Sequence, residues 1–308
     1  MWFDYSLDKL REYRPEREEP ADFDRFWTAT LVEARTAPVA AEFAPYDSRL
    51  ATVEVFDASF AGYGGRRVRG WLIVPRGIGG PLPCVVTYVG YGGTRGRPHE
   101  WLFWSAAGYA NFVMETWDQG GRGYDADCVT RGIEAPEGYY YRGVYTDAVR
   151  AVEAVRSHPM VDASRVIVAG GSQGGGITLA VAGLVPDVAA ALPNLPFLCD
   201  FRRATTLLDE APYNQIGRML KHRRDLVDTV YSTLSYFDGM NFAARAMSPA
   251  LFSAALADRV TPPSTVFAAY NHYAGPKDMK VWQFNGHEGG GAFQQEAELE
   301  FLEKSGLR

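Results

Sequence analysis

Cysteine is scarce in this chain: Cys84, Cys128 and Cys199 are the only three among 308 residues. An odd number without a C-x-x-C pair excludes a disulfide framework and suits free thiols in a reducing compartment. Long apolar runs are missing too. No uninterrupted stretch reaches the roughly 18 residues of a membrane helix, and the opening "MWFDYSLDKLREYRPEREEP" lacks the apolar segment of a secretory signal. A soluble, cytoplasmic protein is the expectation. There is no basic stripe either: 31 Lys and Arg against 37 Asp and Glu leave a formal net charge of −6, which speaks against nucleic acid or an anionic membrane as partner. Metal spacing is absent, because "HEGGG" at 287–291 has no second histidine four positions on and no Cys/His pattern appears elsewhere. The loop "VGYGGTRG" at 89–96 misses G-x-G-x-x-G by one residue and no Walker lysine follows it. No metal and no cofactor are expected, and the ligand should be small or neutral.

What remains is ordinary globular composition, 47% hydrophobic, 22% charged and 13% aromatic, enough for a sizeable core. The mixed charges of residues 11–19 read as a solvated arm. After Asp22, Phe23, Phe26, Trp27, Leu31 and Ala34 follow the i, i+3, i+4 spacing of a helix lying on a core. Eight strands are predicted, near 51–57, 66–74, 84–90, 110–117, 165–170, 188–193, 250–256 and 279–284. The first two alternate in polarity like a half-exposed hairpin. Later ones are uniformly apolar and alternate with helical segments such as 142–157, the pattern of parallel strands with crossover helices. Between about 195 and 249 the strand signal stops, which predicts a helical cap inserted into a single domain spanning 1–308, with an N-terminal arm and helix over about 1–45.

The stretch "VIVAGGSQGGGITLAVAG" carries the chemistry. Gly170-Gly171-Ser172-Gln173-Gly174 matches G-x-S-x-G with a strand before it and a helix after it, the setting of a nucleophile elbow. Gly170 and Gly174, two before and two after the serine, let strand and helix pass closely. Ser172 follows the fifth predicted strand, as the nucleophile of an α/β-hydrolase fold does. In that fold the triad runs Ser, then Asp or Glu, then His. Asp258 follows the seventh predicted strand in "ADRVTPPST", and His287 follows the eighth in "NGHEGGG". The serine is a poor nucleophile until His287 takes its proton, and Asp258 fixes the imidazole tautomer. The backbone N–H groups of Gln173 and of Tyr91 are the expected oxyanion hole. Among competitors, His99, His158, His222 and His272 read as structural or surface residues. Glu288 and Asp200 are the rival acids, and Trp101 and Trp104 read as core rather than as a sugar platform.

The flanking sequence resembles the acetyl xylan esterase and cephalosporin C deacetylase group, carbohydrate esterase family seven, nearly end to end. The likeness covers "LREYRPEREEPADFDRFW", "YYYRGVYTDAVRAVEAVRSHP", "GGSQGGGITLA", "PFLCDFRRATT", "LSYFDG", "PPSTVFAAYN" and "NGHEGGGAF". It implies Ser172, Asp258 and His287 as triad and Tyr91 and Gln173 as oxyanion hole. It also implies deacetylation of small acetylated sugars or of cephalosporin C, and a homo-hexamer built as a trimer of dimers. Two places depart from the pattern: Val89 stands where the family has histidine before Gly-Tyr, and Gly120-Gly121-Arg122-Gly123 stands for R-G-Q-G. The rival readings keep the triad but change the acyl group or the bond to a peptide, or keep the scaffold as a non-catalytic binding protein.

Overall fold

The structure is a computed structural model that describes residues 3–119 and 127–308. The departure expected at Gly120-Gly121-Arg122-Gly123 lies outside the described residues. The chain opens with two helices, α1 (Leu7–Glu12) and α2 (Phe23–Ala34), and then enters strands β1 (Glu42–Pro45), β2 (Val53–Ala61), β3 (Arg67–Pro75) and β4 (Leu82–Tyr88). There follow α3 (Leu102–Ala106), β5 (Ala110–Met114), α4 (Tyr140–Arg156), β6 (Val161–Gly171), α5 (Gln173–Leu184) and β7 (Ala190–Asn194). Four helices come next, α6 (Phe201–Leu207), α7 (Asn214–His222), α8 (Val227–Ser235) and α9 (Gly239–Ala243), with no strand among them. The chain ends with β8 (Ala250–Ala255), α10 (Pro263–His272), β9 (Lys277–Trp282) and α11 (Ala292–Lys304).

One sheet holds the nine strands in the order β1-β2-β3-β5-β4-β6-β7-β8-β9, antiparallel as far as β5 and parallel from there to β9. The sequence predicts eight. The extra one, β1, is four residues long, largely exposed, and pairs only with β2. An edge strand that short half-buries a single side chain, Phe43, so no apolar alternation marks it. Strand β4, "LPCVVTY", is buried at every position because both of its faces are covered. Alternate residues point to opposite layers. Val86 and Val168 join the large core beneath α4 and α5, while Val85, Ile167 and Leu192 pack with Trp104 of α3 and Ala297 and Leu302 of α11.

The register decides where function can sit. Tyr88 pairs with Gly170, Gly170 with Pro193, Asn194 with Ser253, and Ala255 with Trp282. The carboxyl ends of β4, β6, β7, β8 and β9 therefore finish side by side, and the loops after them share one edge.

The arm at 11–19 is largely exposed, as expected, and it also holds partners across the fold. Arg17 donates to Asn241, Glu18 pairs with Arg202, and Glu19 bridges to Arg245 at 2.9 Å. Asn271 Nδ2 donates to the carbonyls of Leu10 and Tyr13, and His272 Nε2 lies 2.8 Å from that of Pro15. A charge count along the chain cannot reveal partners more than 180 residues away. Among the described residues no helix is long and apolar enough to cross a membrane.

Candidate active site

Strand β6 runs straight into α5, and Ser172 occupies the corner with φ 58° and ψ −120°, a conformation that L-residues rarely adopt. The glycines around it are sterically required. A Cβ on Gly174 would lie 2.1 Å from the Tyr88 carbonyl oxygen, and one on Gly170 would lie 2.6 Å from the Gly174 carbonyl carbon. The corner is pinned by Ser172 N–H donating to Asn194 O and by Phe197 N–H donating to Ser172 O, both at 2.9 Å. Gln173 begins α5, so its N–H belongs to the first turn, where donors lack intrahelical partners.

Asp258 sits in the turn after β8, fully buried. Its Oδ1 accepts from Val260 N–H at 2.8 Å and Thr261 N–H at 3.0 Å, and its Oδ2 accepts from the Thr261 hydroxyl at 2.7 Å. That same Oδ2 stands 2.9 Å from Nδ1 of His287, in the loop after β9. The imidazole is part-exposed, and with Ser172 it lines a cavity of about 320 Å³. No hydrogen bond joins Ser172 Oγ to His287 in this structure. Such contacts commonly tighten only around substrate.

The rival acids are committed elsewhere. Glu288 turns back onto its own backbone N–H, then Gly286 N–H and the Asn285 side chain, and these hydrogen bonds hold its carboxyl below the usual range. Asp200 lies beneath the arm and accepts from the Tyr13 hydroxyl at 2.9 Å. Of the other histidines, His158 packs between Phe43 and Phe56, where burial lowers its pKa. His99 and His222 are exposed. Trp104 is buried and Trp101 gives its indole N–H to Arg95 O.

Around the expected oxyanion donors lies a polar network that the sequence reading missed. Gln119 Oε1 accepts from Gly92 N–H at 2.9 Å, and its Nε2 donates to Gln173 Oε1 at 3.0 Å and to the Tyr140 hydroxyl. The Tyr141 hydroxyl donates to Gln173 Oε1 at 2.9 Å, and Gln173 Nε2 reaches Val89 O at 3.3 Å. Gln119 thereby ties the loop carrying Tyr91 to the residue after the serine. The available signal was its place just past the carboxyl end of β5. Burial raises Tyr141 well above the ordinary phenol pKa, so it stays a neutral donor. Val89 packs with Val53, Trp71 and Val113, an apolar setting at the position where the resemblance leads one to expect histidine.

Residues 1–305 match the acetyl xylan esterase family. The chain belongs to that family. Acetyl esterase Axe7A of Xylanibacter ruminicola is 30% identical over 295 residues, 89% of this chain, and the chain spans 65% of that relative's length. Among solved structures, the acetyl xylan esterase from Paenibacillus sp. R4 superposes with a TM-score of 0.92 at 40% identity, covering 97% of this chain and 99% of that one. Acetyl xylan esterase 1 from Thermoanaerobacterium sp. JW/SL YS485 gives 0.90 at 33% identity, covering 98% and 99%. The fold is that of the α/β hydrolases, to which an acylaminoacyl peptidase from Pyrococcus horikoshii, 15% identical with a TM-score of 0.65, is similar in fold alone.

Proposed function

We propose that the protein is a serine esterase that removes acetyl groups from small acetylated saccharides. The observation that carries this reading is the Asp258–His287 pair opening onto the cavity that Ser172 lines from its strained corner. Ser172 Oγ attacks the acetyl carbon while His287 takes its proton, and the N–H groups of Tyr91 and Gln173 receive the oxyanion. The bond to the alcohol oxygen then breaks as His287 returns the proton to it. Water, deprotonated by His287, attacks the acetyl-serine, and acetate leaves with Ser172 restored.

Residues 195–249 act as a cap over this edge, a reading supported by the Tyr91 hydroxyl donating to Gln215 of α7. Three buried free thiols fit a cytoplasmic protein. The family resemblance supports a hexamer, checked by native mass spectrometry, and makes cephalosporin C a second acetyl ester to assay.

A panel of p-nitrophenyl esters of rising acyl length tests the chemistry. A steep fall beyond acetyl or propionyl is expected, whereas a flat profile overturns the acetyl assignment. Failure of a fluorophosphonate to label Ser172 overturns the esterase reading altogether.

A further inference from the structure

The cavity shared by Ser172 and His287 holds a buried carboxyl that the triad does not use. Glu298, on α11, is 4% exposed and lines the cavity. Its Oε1 accepts from Asn194 Nδ2 and from Gln294 Nε2, the latter at 3.4 Å. Its Oε2 accepts no hydrogen bond from any described residue. Asn194 is itself fixed, because its Oδ1 accepts from Ser253 Oγ at 3.0 Å and Gln294 Nε2 at 2.9 Å while its backbone carbonyl accepts the N–H of Ser172. Gln294 is held in turn by Trp282 Nε1 at 3.1 Å. The acid is thus aimed by a rigid frame. Oε2 is not sealed from solvent, so the carboxyl keeps one oxygen open to a donor that enters the cavity it lines.

The cavity's side of the serine identifies that donor. Tyr91 and Gln173 do not line it, whereas His287 and the loop that follows do. For an ester on Ser172, the carbonyl oxygen turns toward Tyr91 and Gln173, and the leaving oxygen must reach His287 to be protonated. The alcohol half of the substrate therefore extends on the His287 side, into this cavity. Phe103, half-buried, gives the cavity an aromatic wall backed by the buried Trp104, beside the polar groups of Glu298, Asn194 and Gln294. A volume of about 320 Å³ is near the lower end of small-ligand sites and suits one sugar ring better than a chain. An aromatic wall for C–H faces together with a fixed acid for hydroxyls is the chemistry of polyol binding. Burial pushes the Glu298 carboxyl up to about 7, against the pull of its two amide hydrogen bonds, so near neutral pH it can both accept and donate.

We infer that Glu298 determines specificity by binding a hydroxyl of the leaving sugar through Oε2, an inference that rests on the esterase reading above. The test compares acetylated xylose with p-nitrophenyl acetate, whose leaving group offers no hydroxyl beyond the ester oxygen. Glu298→Leu should raise KM for the sugar ester about tenfold, and Glu298→Gln, which keeps the shape and one amide donor, should raise it less. Both should leave kcat/KM for the aryl ester within about threefold. Equal losses on both substrates, or an unchanged sugar KM in the Leu variant, overturn the inference while the wild type still hydrolyses both esters. A wild type that hydrolyses neither overturns the esterase reading itself. Crystals soaked in xylose supply a readout independent of folding losses: a sugar hydroxyl at hydrogen-bond distance from Oε2 supports the inference, and only a water at that position overturns it.

Discussion

Nδ1 of His287 stands 2.9 Å from Oδ2 of Asp258, an oxygen that also receives the Thr261 hydroxyl, while Oδ1 is taken by two backbone N–H groups. With the acid locked on every side, the imidazole is held with its proton on Nδ1 and Nε2 free to accept. Asp258→Asn places an amide against Nδ1 and favours the wrong tautomer, so kcat for p-nitrophenyl acetate should fall by roughly 10⁴. Thr261→Val, which leaves the acid charged but less firmly held, should cost about tenfold. Stopped assays on purified variants with matched melting temperatures check both.

Ser172→Ala removes the attacking oxygen and leaves the corner's hydrogen bonds, which are all backbone, in place. Activity should drop by about 10⁴ to 10⁶ with thermal stability little changed. A variant keeping a tenth of its activity contradicts the assignment.

Gln119→Leu cuts the link between Gly92 and Gln173 without touching either peptide. If that link sets the oxyanion donors, kcat should fall some 10- to 100-fold while KM holds. Stability should drop by about 1–3 kcal/mol from the unmet partners. A change in KM alone would show that the glutamine shapes binding and not the donors.

Gln119 also shows where sequence reading stops. The elbow, the acid and the histidine could be placed from the order of strands, because parallel strands carry their loops to one edge whatever the spacing along the chain. Strand β1 could not, since its exposed residues carry no period. Gln119 acts through hydrogen bonds to Gly92 and Gln173, far along the chain, and only its place after β5 marks it; Thr261 donates to Asp258 three residues before it, but the sequence does not say which way that hydroxyl turns. The arm at 11–19 is exposed as its charges suggest, but Arg202, Asn241 and Arg245 come to it only after the chain has closed on itself.

Gly174→Ala should prevent folding or reduce stability by at least about 3 kcal/mol, because the new methyl would stand 2.1 Å from the Tyr88 carbonyl and neither backbone can yield without breaking the β4 to β6 pairing. Urea unfolding, or loss of soluble protein, reads the outcome.

Glu298 gives a pH signature in stability. Its folded pKa, pushed by burial from 4.5 to about 7, means that between those values the folded chain keeps a proton that the unfolded chain releases. Stability from this group is therefore present at low pH and lost as pH rises through the window, by up to roughly 1.4 kcal/mol per unit. Glu298→Gln has no proton to lose, so its stability relative to wild type should climb from pH 5 to pH 7 and level off above. Urea titrations at pH 5 and pH 8 decide it, and a relative stability that falls with pH contradicts the assignment.

Asp4 binds Arg203 and the N–H of Ser264, and Asn271 holds the backbone of Leu10 and Tyr13. During synthesis those partners leave the ribosome long after the residues that need them. Residues 4–13 must wait for the chain as far as Asn271 before they can lie down, so their docking is a late act of maturation that reports on the completeness of the surface beneath them.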